Sequence, residues 1–381
     1  MSFSLYIHIP YCLVKCPYCD FNAYAATSWP EEQYVAALEA EFRASLAQPV
    51  WQERKIETLY FGGGTPSLFA PSSIARIITV VSDQCGLVPN TEISLEGDPA
   101  SVSYPQLVGY REAGVNRLSL GVQSFQPALL KTLGRIHSPM DAENTILWAR
   151  AAGFTNLSID VIFAVPGQTQ ANLAADLSRV FAYMPEHLST YCLTYEEKTP
   201  FFALREKGKL QSVEEDEEIA MYTLVQERSA AAGYLHYEIS SFARPGYTSR
   251  HNASYWNGRS YLGLGAGAHS FANEPGWGKR WSNERNPRRY IERALASGNP
   301  RSFEETLTQS QAMGEFVFLQ LRQLVGLSLA TFVERFGQEF FAVFPHAQEL
   351  IAEGLLSEDA GNVRLSQQGL LLADSVFSSF F

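Results

Sequence analysis

The sequence predicts an α/β fold: a parallel (β/α)6 barrel about three-quarters closed, followed by a C-terminal α+β, winged-helix-like domain. Three observations carry this. Short runs alternating apolar and polar residues recur six times, each followed by an amphipathic stretch, and that succession predicts a parallel sheet with right-handed crossovers. The predicted strands also end on polar residues, and barrels of this kind place their active sites at the C-terminal strand ends. From about Phe303 the pattern changes to helices plus a small hairpin. The expected division is therefore a barrel core at 1–200, a connecting segment at 201–300 and a C-terminal domain at 301–381.

Taken in order, Leu5 to Ile9 alternates and stops at Pro10, so a short strand delivers the loop Cys12-Leu-Val-Lys-Cys16-Pro-Tyr-Cys19 at its C-terminal end. Ser28 with Glu31 three residues on has the form of a capping box, and Val35, Leu38, Phe42 and Leu46 repeat at helical spacing, predicting a helix from about Pro30 to Ala47. Further strands are expected near Ile56 to Phe61, Thr91 to Glu96, Val115 to Gly121, Leu157 to Ala164 and Leu188 to Thr194. The second runs into Gly62-Gly63-Gly64-Thr65-Pro66, where glycines let backbone pack against a ligand with no side chain between. Glu96 closes the third, Gln123 follows the fourth, Asp160 lies within the fifth, and Arg135 stands on Leu133-Gly-Arg-Ile-His.

Thr199-Pro200-Phe201 breaks the repeat. The acids Glu214 to Glu218 precede a helical stretch and suit its N-terminus through the macrodipole, with no chemistry of their own. Gly263-Leu-Gly265-Ala-Gly-Ala268 has the form of a dinucleotide fingerprint, but the strand and helix flanks which that motif needs are not evident.

Composition excludes several classes. A 381-residue chain with 46% hydrophobic residues can bury a large core. Its formal charge of 29 − 40 = −11 argues against nucleic acid or an anionic membrane as principal partner. Residues 301–381 hold four Arg, no Lys and ten acids, so the winged-helix-like domain is expected to act as a lid or docking module and not on DNA. No stretch approaches the roughly 18 apolar residues of a membrane span. The opening residues lack a basic n-region, and five cysteines, three in one loop, fit a reducing cytoplasm.

The cysteine loop is the strongest chemical signal. Three closely spaced thiolates hold three irons of a cubane cluster and leave the fourth with an open coordination position. Zinc sites usually pair two Cys-x2-Cys or Cys/His clips, and the other cysteines, Cys85 and Cys192, are single and distant.

Tyr6-Ile-His-Ile-Pro-Tyr-Cys, the three-cysteine loop, Tyr60-Phe-Gly-Gly-Gly-Thr-Pro-Ser, Gly121-Val-Gln-Ser-Phe and Leu133-Gly-Arg-Ile-His together resemble the radical SAM superfamily. Within it they resemble the branch of oxygen-independent coproporphyrinogen III dehydrogenase and the HemW-type heme chaperones. The resemblance implies a [4Fe-4S] cluster on Cys12, Cys16 and Cys19, with S-adenosylmethionine chelating the free iron. It implies that Tyr6 and Tyr18 pack beside the cluster and cofactor, that Gly63, Gly64, Thr65 and Glu96 line the methionyl end, that Arg135 pairs with its carboxylate, and that Gln123 and Asp160 reach the ribose. A zwitterion needs one acidic and one basic partner, and Arg suits a carboxylate bidentately.

Arg250-His251-Asn252-Ala-Ser-Tyr255-Trp256 resembles the His-Asn-x-x-Tyr-Trp motif of the chaperones. It implies heme as a bound group, with His251 as candidate iron ligand and Arg250, Arg259 and Arg280 near the propionates. The dehydrogenases resemble this loop but carry a fourth cysteine where this chain has Phe21, and a longer N-terminal arm. The chaperone is therefore expected, with the dehydrogenase as the alternative. Its implied partners are heme, a heme-acceptor protein that can be membrane-associated, and an electron donor such as flavodoxin or ferredoxin. Chaperone relatives commonly have Cys where this chain has Ser249, so a thioether to heme is not expected there.

Overall fold

The computed structural model describes residues 2–381. Six strands, Ser2–Ile9, Lys55–Gly63, Leu87–Gly97, Arg117–Gln123, Leu157–Phe163 and His187–Cys192, lie side by side in chain order and pair in parallel. All six coincide with expected strands. The sheet stays open, and later segments extend both edges into a 12-stranded sheet. On the Ser2–Ile9 edge Tyr261–Leu264 adds in parallel, followed by antiparallel His269–Ala272, Lys279–Asn283 and Arg301–Thr306. On the other edge Ser241–Ala243 and Leu235–Glu238 add antiparallel. Five of these strands fall within residues 201–300, where the sequence suggested only a connection.

Period-two alternation gives the barrel strands two different faces. Leu5, Leu59, Leu95, Leu118, Ile159 and Leu188 are buried on one face and join Val35, Leu38, Ile74, Leu107 and Leu177 of the helices in one apolar core. The alternate residues are polar and also buried: Ser4, Thr58, Ser94, Arg117, Ser119, Ser158 and His187. Some of them bond across the strands, Thr58 to Ser4 at 2.9 Å and Ser158 to His187 at 2.8 Å, while Ser94 Oγ and Arg117 Nε have no partner among the described residues. A closed barrel of this size is usually filled by branched aliphatic side chains. Here the concave face is a polar network.

The helix Glu31–Leu46 buries Val35, Leu38 and Phe42 as its spacing predicts. The expected Ser28–Glu31 capping box does not form, because Pro30 occupies the N-cap position and Glu31 is the first helical residue. The Glu31 carboxylate instead accepts from Ala70 N at 2.7 Å and Trp29 Nε1 at 3.2 Å. Gly263 to Ala268 turns one strand into the next within a hairpin, so no helix N-terminus exists to hold a dinucleotide phosphate.

A second apolar core runs from Leu307 to Phe380 and includes Phe316, Phe332, Phe336 and Val363. Its helices pack on a three-stranded antiparallel sheet of Leu327–Ser328, Asn362–Leu365 and Leu356–Asp359. Ala360 and Gly361 have φ of 51° and 79°, the pair of positive values that a type I′ hairpin turn requires. This is the expected winged-helix-like arrangement.

Candidate functional site

Strand Ser2–Ile9 ends at Pro10, and the cysteine loop that follows is pinned on three sides. Thr65 N donates to Tyr11 O at 2.8 Å, Ala26 N donates to Cys12 O at 2.9 Å, and Phe201 N donates to Pro17 O at 3.0 Å. A turn closes with Cys19 N on Cys16 O at 3.1 Å. Tyr18 packs on Phe201, and its hydroxyl pKa is raised by burial and then by the neighbouring Cys16. Burial pushes the Cys12 thiol up to about 11, and the Thr65 hydroxyl opposes that shift by hydrogen bonding to it. Arg135 Nη1 donates to Cys16 Sγ at 3.6 Å.

The glycine run is required by its protein neighbours as well as by any ligand. Gly63 has φ +114°, and a Cβ there would lie 2.5 Å from the His8 ring. A Cβ at Gly64 would lie 2.6 Å from Tyr11 O and 3.0 Å from Cys12 Sγ. Glu96 accepts from Tyr60 OH at 2.8 Å and Gly63 N at 3.1 Å, and burial raises its carboxyl to about 7 despite both donors.

Arg135 also donates through Nη2 to Asp98 at 2.7 Å and to Gly121 O at 2.9 Å, while its buried Nε has no partner among the described residues. Burial opposes ionisation of Asp98, but His137 and Arg135 outweigh it and hold the carboxyl below its ordinary range. Cys16, Thr65, Asp98 and Arg135 thus line one narrow crevice. Asp98 carries no signal in the sequence, since it falls one residue beyond its strand. Gln123, with φ +65°, turns its amide back over Gly121. Asp160 sits deeper, accepting from Ser119 Oγ at 3.2 Å and Ser158 Oγ at 3.4 Å, its pKa raised by burial.

A larger cleft of about 590 Å3 starts at Tyr6, His8, Gly63 and Glu96 and continues outward between the strands that extend the sheet, past Trp256, Tyr261 and His269. His251 does not line it. The ring is 1% exposed and stacks on Tyr60 with centroids 4.9 Å apart. Its Nδ1 lies 2.8 Å from Thr58 Oγ1 and its Nε2 lies 2.8 Å from Tyr255 OH. Thr58 donates onward to Ser4, so Nδ1 is the nitrogen that donates and Nε2 the one that accepts. Burial lowers the ring pKa to about 3. The expectation of His251 as iron ligand meets a ring whose nitrogens are both engaged in a closed network. Of the arginines expected near propionates, Arg250 and Arg259 lean on Glu57, and Arg280 is held by Glu305 and Glu315.

Residues 6–180 match the Radical SAM superfamily and residues 307–372 match the HemN C-terminal domain. The heme chaperone HemW of Bacillus subtilis is 36% identical over 381 residues, covering 99% of this chain and 98% of that one. The chain belongs to the HemW family of the radical SAM superfamily. The Escherichia coli heme chaperone HemW is 34% identical across 99% of this chain and 97% of its own length. A mouse mitochondrial relative, radical S-adenosyl methionine domain-containing protein 1, is 33% identical across 98% of this chain and 86% of its own. The solved coproporphyrinogen III oxidase (HemN) of Escherichia coli superposes with a TM-score of 0.84 over 100% of this chain and 90% of that one, at 24% identity, a likeness of fold. Membership of the superfamily implies a [4Fe-4S] cluster and S-adenosylmethionine.

Proposed function

We propose that this protein is a heme chaperone that binds heme and hands it to an acceptor protein, carrying a [4Fe-4S] cluster and an exchangeable S-adenosylmethionine. The observation that carries the reading is kinship with proteins named heme chaperone HemW, one of them 36% identical across 99% of the chain. The departure at Phe21 agrees with it, since the dehydrogenases resemble this loop but have cysteine there.

The donor set fits the cluster. Cys12, Cys16 and Cys19 supply three sulfurs, Arg135 donates to one of them, and the absence of a side chain at Gly64 keeps the space beside Cys12 open. When bound, such a cluster offers its fourth iron to the amino and carboxylate groups of S-adenosylmethionine. Tyr6 and Tyr18 flank that position, and Gly63, Gly64, Thr65 and Glu96 receive the methionyl end. Arg135 still has its unpartnered Nε to offer a carboxylate, since Asp98 occupies only Nη2. Gln123 and Asp160 reach the ribose. Ser249 stands where a thioether would need cysteine, and its hydroxyl caps the helix Arg250–Trp256 by accepting from Asn252 N, so heme is held without a covalent bond at that position. An acceptor protein, free or on a membrane, and a flavodoxin- or ferredoxin-type electron donor complete the system.

Anaerobically reconstituted protein should bind hemin and pass it to a heme-free acceptor. Failure to bind hemin sinks the reading. Conversion of coproporphyrinogen III to protoporphyrinogen IX, in the presence of S-adenosylmethionine and a reductant, would replace it with the dehydrogenase.

A further inference from the structure

The cleft has two ends of different chemistry. The inner end is shared with the candidate cofactor cradle through Tyr6, Gly63 and Glu96. The outer end is walled by aromatic faces, Tyr255, Trp256, Tyr261 and Phe271, on elements outside the six-stranded core. A volume of about 590 Å3 falls within the roughly 300–1,000 Å3 of small-molecule sites.

Two histidines line the cleft, and they differ in what their nitrogens do. His8 is buried, with Nδ1 3.0 Å from Tyr6 OH and Nε2 3.0 Å from Asn22 O, so both nitrogens are taken. His269 is exposed on strand His269–Ala272, and among the described residues its ring makes no hydrogen bond. The lining cations differ in the same way. Arg280 is held by Glu305 and Glu315, and Arg259 by Glu57 at 2.9 Å. Arg285 is exposed and has no carboxylate partner among the described residues; its one side-chain bond is a long donation from Nε to Asn22 Oδ1 at 3.4 Å.

Resting on the heme-chaperone reading, we propose that this cleft is the heme site, with His269 as the iron ligand and Arg285 as the propionate anchor. The cleft thereby unites a free imidazole, a free guanidinium and stacking aromatic faces. Iron takes the lone pair of a neutral ring nitrogen, so no proton need leave. Desolvation of the ring by the cleft lowers the His269 pKa, and the charges of Arg285 and Arg280 lower it further, which keeps the ring neutral and ready to ligate. Glu315 also faces this space, but Arg280 neutralises it and spares the propionates a direct repulsion. The charged groups that act on the ring are Arg285 and Arg280. His251, below the floor, holds Tyr255 in place and does not meet iron.

The test uses the full chain with its cluster reconstituted anaerobically, titrated with ferric hemin and, separately, with metal-free protoporphyrin IX. His269→Ala should weaken hemin binding about tenfold or more, shift the Soret band and leave protoporphyrin affinity unchanged. Added imidazole should restore the wild-type spectrum in that variant. Arg285→Gln should weaken hemin and protoporphyrin alike. If His269→Ala keeps the wild-type spectrum and affinity while the unmodified protein binds hemin, this assignment is wrong and the chaperone reading stands. If the unmodified protein binds no hemin, the chaperone reading itself falls, and the site with it.

Discussion

The two faces of the barrel strands differ by one residue of register, yet they do separate jobs. Leu118 and Leu120 face the helices and are fully buried in apolar contact; Arg117 and Ser119, beside them in sequence, are buried on the concave side, where Ser119 donates to Asp160. The aliphatic face stabilises the fold through area removed from water. The polar face stabilises little by itself, since exchanging water for protein partners nearly balances. It holds polar side chains in place, as Ser119 and Ser158 do for Asp160 and Tyr60 for Glu96. A fold with an ordinary greasy interior would be sturdier and chemically idle.

That contrast can be broken at several points. The largest effect should come at the mouth, where Cys16→Ala should abolish the cluster, read as loss of bound iron and acid-labile sulfide after reconstitution while far-ultraviolet circular dichroism stays unchanged. Intact iron content would remove Cys16 from the ligand set. On the aliphatic face, Leu118→Ala should cost about 3–5 kcal/mol of stability through the cavity it leaves. A denaturant midpoint close to that of the unmodified protein would mean that the face is less tightly packed than its burial indicates.

His251→Ala, on the polar side, should cost about 2–3 kcal/mol, because Thr58 and Tyr255 lose their partner inside the protein. An unchanged unfolding curve would argue that this network is not structural. Glu96 gives the smallest effect and a pH signature. Its folded pKa is raised to about 7 from 4.5 by burial, so its contribution to stability is full below about pH 4.5 and is lost as pH rises through 7. Glu96→Gln should flatten the pH dependence of unfolding in that window, measured by urea titration at stepped pH. An unaltered slope would show that the carboxyl titrates normally.

The barrel was legible because six repeats of alternation are hard to produce any other way, and because Pro10 and Gly62 to Gly64 punctuate strand ends by their own geometry. The strands that extend the sheet were not, since Leu235–Glu238 and Ser241–Ala243 are short and mix His, Glu and Ser into what reads as loop. Ser28 and Glu31 carried the right letters for a capping box, but Pro30 between them set the start of the helix. His251 shows the limit most clearly. Its motif marks the residue, yet nothing in the letters tells whether an imidazole points into a cleft or into a hydrogen-bonded floor. His269 directly follows the glycine run, and nothing in the letters shows that its ring lines the cleft with Tyr261, Phe271 and Arg285.

One pairing has a consequence for how the protein is made. Strand Ser2–Ile9, which carries the cysteine loop, is bracketed by Lys55–Gly63 on one side and Tyr261–Leu264 on the other. Asn22 Nδ2, just past the loop, donates to Ala266 O at 2.8 Å. During synthesis the strand therefore has an open edge until some two-thirds of the chain has left the ribosome. A nascent chain stalled before residue 261 should therefore retain less iron than one stalled after 306, and equal retention would show that the loop matures without its late neighbour.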